Sequence, residues 1–165
     1  MLIDISSKQY TFKSITDRVL QWKSAGEKIV FTNGCFDLIH YGHLHYLAEA
    51  AALGDRLIVG LNSDASVRRL KGEQRPIKDE ISRSFLLASL ACVDAVVLFP
   101  KDTPLELIEL IRPNVLVKGG DWQPDQIVGS DVVLNDGGTV KSLAFVEGHS
   151  TTSLIKKIQQ LNSNF

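Results

Sequence analysis

The sequence predicts an α/β domain: a mostly parallel β-sheet with helices on both faces. Two observations predict it. Runs rich in β-branched and other apolar residues alternate with stretches of helical period along most of the 165 residues. Several of those runs stop at glycine and polar residues, as strands do where a parallel sheet hands over to its crossover helices. The length suits one domain of ordinary size. At 44% apolar and 22% charged residues the composition is that of an average globular protein. A formal net charge of −1 excludes recognition of nucleic acid or membrane by bulk charge, so any anion must be held by local arrangement. Two cysteines, Cys35 and Cys92, make no disulfide framework; reduced thiols and a cytoplasmic location are the expectation. The start, MLIDISSKQYTF, is too polar for a signal peptide, and no apolar run is long enough to span a bilayer.

Residues 14–24 read as a short amphipathic helix, with Ile15, Val19, Leu20 and Trp22 as apolar contacts and Gly26 as its end. KIVFTNG (28–34) is a buried strand, uninterrupted until Asn33-Gly34. The next helix begins near Gly42, where Leu44, Leu47, Ala48 and Ala51 form one apolar stripe, and it stops at Gly54. DRLIVGLNSD (55–64) is a second strand. SVRRLKGEQRPIKD (66–79) reads as a basic loop. Residues 80–92 are helical, with Ile81, Phe85, Ala88 and Cys92 on the inner face. DAVVLFP (94–100) is a strand. DTPLELIELI (102–111) is a helix with Thr103 as N-cap, Pro104 at the first helical position, Glu106 completing a capping box and Pro113 just beyond. NVLVKGGDW (114–122) is a strand running into glycines. A loop-rich stretch follows, with a strand at 131–134; KSLAFVEG (141–148) is the last strand and 152–161 the last helix. The chain is expected to be one domain, 1–165, with a helical extension (1–25) ahead of a core (26–165).

In such sheets ligands sit outside the carboxyl ends of the strands. Residues 33–37, 62–64, 118–121 and 147–151 should therefore gather on one rim. His40 and His43 are three apart across a helix start, whose free N–H groups and positive dipole end favour an anion. Gly42 between them lets a ligand approach the backbone. His45 lies roughly 200° further round the helix at about 100° per residue and should point elsewhere. A zinc site is disfavoured, because neither a Cys pair nor a His-Glu helix completes the ligand set. Asp37 has three open readings: Mg²⁺ contact, support for a histidine tautomer, or acceptance of backbone N–H bonds in the turn. Lys71 and Arg75 lie with Arg68 and Arg69 in a loop shaped by Gly72 and Pro76, and are phosphate candidates. Gly119 and Gly120 give a nucleotide room beside Asp121 and Trp122; a tight turn with Trp122 in the core is the alternative. Ser150-Thr151-Thr152 caps the last helix and offers hydroxyls and N–H groups to a polyphosphate.

GCFDLIHYGHLHYL (34–47) resembles the G-x-F-D-x-x-H-x-G-H signature of the cytidylyltransferase-like nucleotidyltransferases, and GHSTT (148–152) resembles their second phosphate-binding motif, in the family's order. NSDASVRRLKGEQRPI, LACVDAVVLFPKDTPLELIELIRPNVLVKGGDW and VEGHSTTSLIKKI resemble one branch, the D-glycero-β-D-manno-heptose 1-phosphate adenylyltransferases, often the C-terminal half of a bifunctional ADP-heptose synthase. The resemblance runs from about Gly26 onward. It implies a Rossmann-like three-layer sandwich and transfer of AMP from ATP to the sugar 1-phosphate, giving ADP-heptose and pyrophosphate for the lipopolysaccharide core. Glycerol-phosphate enzymes of the family carry an arginine shortly before STT; FVEG stands here, with Glu147, which favours the heptose branch.

Carried onto this chain, the resemblance implies that His40, His43 and Lys71 are catalytic. Asn33, Gly34, Cys35, Phe36, Gly42, Lys118, Gly119, Gly120, Asp121, Gly148, Ser150, Thr151 and Thr152 bind the nucleotide. Asp37, Asn62, Asp64, Arg75 and Arg83 are substrate or phosphate contacts. Mg²⁺ arrives with ATP rather than at a protein site. A separate heptose kinase supplies the sugar 1-phosphate, and the chain is expected to form a homodimer. The competing expectations are another reaction of the family, such as glycerol-3-phosphate cytidylyl transfer or FAD synthesis, and a nucleotide-sensing module without turnover.

Overall fold

Six strands form one parallel sheet in the order β1-β4-β3-β2-β5-β6: β1 (Gln9–Tyr10), β2 (Ile29–Gly34), β3 (Arg56–Asn62), β4 (Ala95–Phe99), β5 (Val115–Gly119) and β6 (Thr139–Leu143). This computed structural model describes residues 4–162; the first three and last three residues of the expected 1–165 domain lie outside the described residues. The central strands are apolar runs because both faces are covered. Ile29, Phe31, Ile58, Val97 and Leu116 pack under α1 (Phe12–Ser24), α5 (Leu105–Ile111) and α6 (Ser130–Asn135). Val30, Leu57, Val59, Val115 and Val117 face the other way, onto α2 (Tyr41–Ala51) and α4 (Glu80–Ala88). The period-2 alternation of each strand thus divides the core into two halves, which makes the three layers. Two further helices, α3 (Asp64–Lys71) and α7 (Thr151–Asn162), start at the carboxyl rim.

From β2 the chain proceeds outward through β3 and β4, then returns to β5 on the other side of β2. The order reverses between β2 and β5, so the crevice at their carboxyl ends is where an α/β sheet of this kind places a ligand. Both strands end in glycine there, at Gly34 and Gly119.

The stretch expected as a helical extension is built into the fold. Residues 9–10 add an edge strand beside β4, and Ile15 and Val19 of α1 are core. That helix starts at Phe12, two residues early, because Thr11 and Ser14 form a capping box. Leu20 is not a core contact; it is 59% exposed. On α2 the expected stripe is displaced. Leu44 and Ala48 face outward, while Tyr46, Leu47 and Ala50 are buried. The Tyr46 hydroxyl meets Thr32 Oγ1 at 2.5 Å and donates to the Val117 carbonyl at 3.3 Å, which lets a polar-tipped ring enter the core. Gly54 is not a left-handed cap: a Cβ there would stand 2.7 Å from the Lys28 carbonyl oxygen, so close approach requires the glycine.

The basic stretch from Ser66 to Lys71 is helix, not loop, nucleated by the Ser63 side chain accepting from the Ser66 N–H and anchored by buried Val67. Helix α4 ends at Ala88, short of Cys92, and turns a different face inward: Ala88 is buried as expected, but with Leu87 and Arg83, while Ile81 is 77% exposed and Phe85 is exposed. Before α5, Pro104 occupies the N-cap and Thr103 caps nothing. Residues 131–134 are helical, not extended, because Gly129 turns in a left-handed conformation (φ +83°) against Ile108 and directs Val133 into the core. The last strand starts at Thr139 and ends at Leu143, leaving 144–150 to cross the rim.

The inward face of α4 has a direct check. Leu87→Ala should lower stability by about 2–5 kcal/mol. Ile81→Ser should stay within about 0.5 kcal/mol of the parent. Urea unfolding of both variants measures the difference.

Candidate active site

At the end of β2 the chain turns sharply into the start of α2. Phe36 adopts a left-handed conformation (φ +44°), costly for a bulky residue. Its buried ring lies over Gly34, where a Cβ would stand 2.9 Å from it, and meets His43 edge-on at 5.4 Å between centroids. Close packing on both sides holds the strained residue in place.

His40 is the N-cap residue of α2 and His43 lies in its first turn, with the His43 N–H donating to the His40 carbonyl at 2.9 Å. Their rings stack, 3.9 Å between centroids and 24° from parallel. Nδ1 of each ring is buried and without a hydrogen-bond partner. Burial pushes the His43 imidazole down to about 4, the charge on His40 adds to this, and the Leu38 backbone opposes it. Burial also lowers His40, with His149 contributing. Two stacked rings cannot both hold a charge cheaply, so His43 is neutral near pH 7 and donates through one N–H at a time. A Cβ on Gly42 would come within 3.1 Å of the His40 ring and 3.2 Å of the His149 Cβ. His45 turns outward to Glu49, at 3.3 Å.

Asp37 resolves in favour of backbone acceptance. Its buried carboxylate takes the N–H groups of Ile77 and Lys78 at 2.9 Å and the Arg75 Nε at 2.6 Å. Burial pushes this carboxyl up, but the Lys78 and Ile77 backbone bonds and the Arg75 guanidinium outweigh it and hold the group below the usual carboxylate range. Neither histidine touches it. Arg83 is almost fully buried. It donates to the carbonyls of Cys35 (2.7 Å), Asn62 (2.8 Å) and Lys78 (3.0 Å) and to the Asp64 carboxylate (2.7 Å). Four of its five N–H donors are thereby used inside the protein. The expectation that Arg83 contacts substrate therefore gives way to an internal role. Asn62, which donates to Ser66 Oγ, and Asp64 are likewise committed to the scaffold.

The β5 end brings Lys118, Gly119 and Gly120 beside the same crevice. Gly120 has φ +116°, and its carbonyl accepts from the Ser142 hydroxyl. Trp122 is 45% exposed, with its indole N–H donating to the Gly119 carbonyl, so it is not a core residue. Ser150 caps α7 by accepting from the Ser153 N–H, and Thr151 Oγ1 approaches the Leu38 carbonyl at 3.5 Å. The starts of α2 and α7 thus meet at the switch point. Thr152 is exposed in the first turn of α7, and Gly148 turns in the left-handed region just before it. Arg68 is exposed, and Arg69 pairs with Asp102 at 2.7 Å. A cavity of about 730 Å³ at the amino end of the sheet is lined by Lys23, Arg112 and Asp136 among others. Two of its cations are already bound, Lys23 to the Ile111 carbonyl and Arg112 to Asp136.

The cytidylyltransferase-like family model matches residues 31–157, from inside β2 to inside α7. The chain belongs to this family. It is 60% identical to the Bifunctional protein HldE of Geobacter metallireducens over 136 residues, 82% of this chain and 28% of that protein. It is 50% identical to that of Syntrophotalea carbinolica over 156 residues, 94% of this chain and 32% of that protein. The chain thus spans about 28% to 32% of the length of these curated relatives. Among solved structures, the lipopolysaccharide core biosynthesis protein from Thermoplasma volcanium superposes with a TM-score of 0.61 at 31% identity, over 75% of this chain and all of that one.

For a cytidylyltransferase-like chain the rim accounts for most of the residues singled out from sequence. The geometry also adds His149, Phe145 and Tyr46. His149 lies beside Gly42 and 5.2 Å from the Tyr41 ring, and Phe145 covers Gly119 and Gly120. Of these, Tyr46 and His149 stood inside the quoted motif stretches but were not singled out. Among the described residues, no three His, Cys, Asp or Glu side chains converge as a metal site.

Two outcomes follow from these contacts. Arg83→Met should lose about 3–5 kcal/mol, since Asp64 and three carbonyls lose their donor; chemical denaturation reads it. His43 holds fewer protons folded, at about 4, than unfolded, near 6.5. Stability should therefore fall as pH drops through that window, and His43→Gln should flatten the fall measured by pH-dependent melting.

Proposed function

We propose that this chain transfers AMP from ATP to D-glycero-β-D-manno-heptose 1-phosphate, releasing pyrophosphate and forming ADP-heptose for the lipopolysaccharide core. The observation that carries the reading is the meeting of two helix starts and two stacked, neutral histidines at the β2/β5 switch point. Such an arrangement suits a polyphosphate: N–H groups, dipoles and imidazole donors point at developing negative charge without a bulk positive field. Similarity to HldE proteins and to a lipopolysaccharide core biosynthesis protein supports the heptose acceptor over other acceptors of the family. FVEG before the STT cluster supports it too.

The acceptor's phosphate oxygen is already ionised at neutral pH, so the residues need not remove a proton. Their task is positioning and charge stabilisation. His40 and His43 stabilise charge on the transferred phosphoryl group and the leaving pyrophosphate. Ser150, Thr151 and the start of α7 hold the β- and γ-phosphates. Lys71 neutralises charge from the far end of α3, and Arg75, braced by Asp37, lies at the edge of the same rim. Asn33, Gly34, Cys35, Phe36 and Gly42 shape the floor under the phosphates; Gly119, Gly120 and Asp121 give room to ribose and base. Mg²⁺ enters with ATP as part of the substrate. A heptose kinase provides the sugar 1-phosphate, the working unit is a homodimer, and the reaction is cytoplasmic, where ATP and reduced thiols coexist.

Pyrophosphate release with ATP and the heptose 1-phosphate, against CTP and against glycerol 3-phosphate or flavin mononucleotide, tests the assignment. Turnover with ATP and the heptose is expected; exclusive use of CTP would reject it. ATP binding without pyrophosphate release from any acceptor would favour a nucleotide sensor. His43→Ala should keep its fold and lose about 10²- to 10³-fold in turnover.

A further inference from the structure

Side chains alternate along β5. Val115 and Val117 pack in the cluster that holds Tyr46 and Leu47 of α2, and Leu116 packs in the cluster of α1 and α5. The alternation holds to the strand's end, where a Cβ on Gly119 would come within 3.3 Å of the Tyr46 ring. Lys118 therefore leaves the sheet on the face away from α2 and its two histidines. It is partly buried, within electrostatic reach of Cys35 and Lys71. The neighbouring guanidinium groups are matched, Arg75 by Asp37 and Arg83 by Asp64. Neither Lys118 nor Lys71 has a carboxylate partner among the described residues. Burial lowers the Lys118 ammonium from its ordinary value, the Cys35 thiol opposes this, and Lys71 adds to it. Keeping two unmatched cations near each other at a half-buried strand end works against folding, and a dianion between them would reverse the sign.

We propose that Lys118 and Lys71 seat the phosphate of the acceptor, across the reacting phosphorus from His40, His43 and the helix starts that take the pyrophosphate. The inference rests on the adenylyl-transfer reading. In-line displacement needs the attacking and leaving oxygens on opposite sides of the phosphorus. An acceptor phosphate oxygen forms the new bond to the α-phosphorus. The bond to the bridging oxygen breaks, and pyrophosphate leaves with the electron pair; no proton has to move. Lys118 is then an acceptor-binding residue, not the nucleotide-binding residue that the family resemblance implies.

Lys118→Met and Lys118→Arg test it. In Lys118→Met the KM for the acceptor should rise about 10- to 100-fold, the loss of a hydrogen bond to a charged group. The KM for ATP should stay within about twofold. Lys118→Arg should recover part of the acceptor affinity, which a packing role would not predict. Melting of Lys118→Met should be no lower than that of the parent, since methionine suits the half-buried stem. A raised KM for ATP with an unchanged KM for the acceptor would overturn the inference while leaving adenylyl transfer standing. No turnover with any acceptor would instead reject the adenylyl-transfer reading. In that case inorganic phosphate is titrated calorimetrically into protein saturated with a non-hydrolysable ATP analogue. Binding heat lost in Lys118→Met supports the seat, and equal heats in parent and variant overturn it.

Discussion

One buried guanidinium ties the rim together. Arg83 reaches from α4 to the Cys35 carbonyl after β2, the Asn62 carbonyl at the end of β3, the Asp64 side chain opening α3 and the Lys78 carbonyl before its own helix. Asp37 grips the same connection from the other side, at Ile77, Lys78 and Arg75. The signature loop, α3 and the segment between α3 and α4 therefore form one hydrogen-bonded unit. A buried charge pair contributes little net stability, because desolvation offsets most of its attraction. Its effect here is geometric: Lys71 and Arg75 flank a segment with little freedom to shift, which is what phosphate positioning requires.

The proposed adenylyl transfer asks the rim to recognise anions in a chain of net charge −1. Two helix starts supply partial charge that does not titrate. Burial holds His43 neutral near pH 7, so it offers an N–H without bringing a full charge that would have to be desolvated. Full cations stand further round, on Lys71, Arg75 and Lys118. This division fits the proposed reaction, in which charge moves from one side of a phosphorus to the other: donors that respond little to pH serve the leaving group, and full cations serve the incoming dianion.

The four inner strands β2 to β5 were legible because burial on both faces leaves an apolar run; the largely exposed, polar β6 was placed only in part, and the strand expected at 131–134 is helix. The helix faces were less so. On α2 and α4 more than one stripe obeys the helical period, and polar atoms decided between them: the Tyr46 hydroxyl found Thr32, and Arg83 found three carbonyls. Neither choice is visible without knowing what lies opposite. The start of α3 was readable in principle from Ser63 and Ser66, but arginines followed by Gly72 resemble a solvated loop. Within the site the signature and the STT cluster stand out because backbone and side-chain chemistry coincide in a few consecutive residues. Phe145 and His149 do not, since their importance arises only when the segment after β6 crosses to Gly119 and Gly42.

Local disagreement with the rules of folding concentrates at the switch point. Phe36 is one of two non-glycine residues with positive φ among the described residues. The buried side-chain polar atoms lacking a partner there are Nδ1 of His40 and Nδ1 of His43. Lys118 is a half-buried cation without a counter-charge. Among the described residues the other buried side-chain polar groups are matched, as Asp37, Asn62 and Arg83 are. A sequence shaped for stability alone would remove such features, since each costs free energy in the unliganded protein. Their clustering in one crevice means the same external partner can compensate several of them together. On the proposed reading, a polyphosphate meeting a second phosphate is that partner, satisfying donors at the helix starts and charge at the lysines in one binding event.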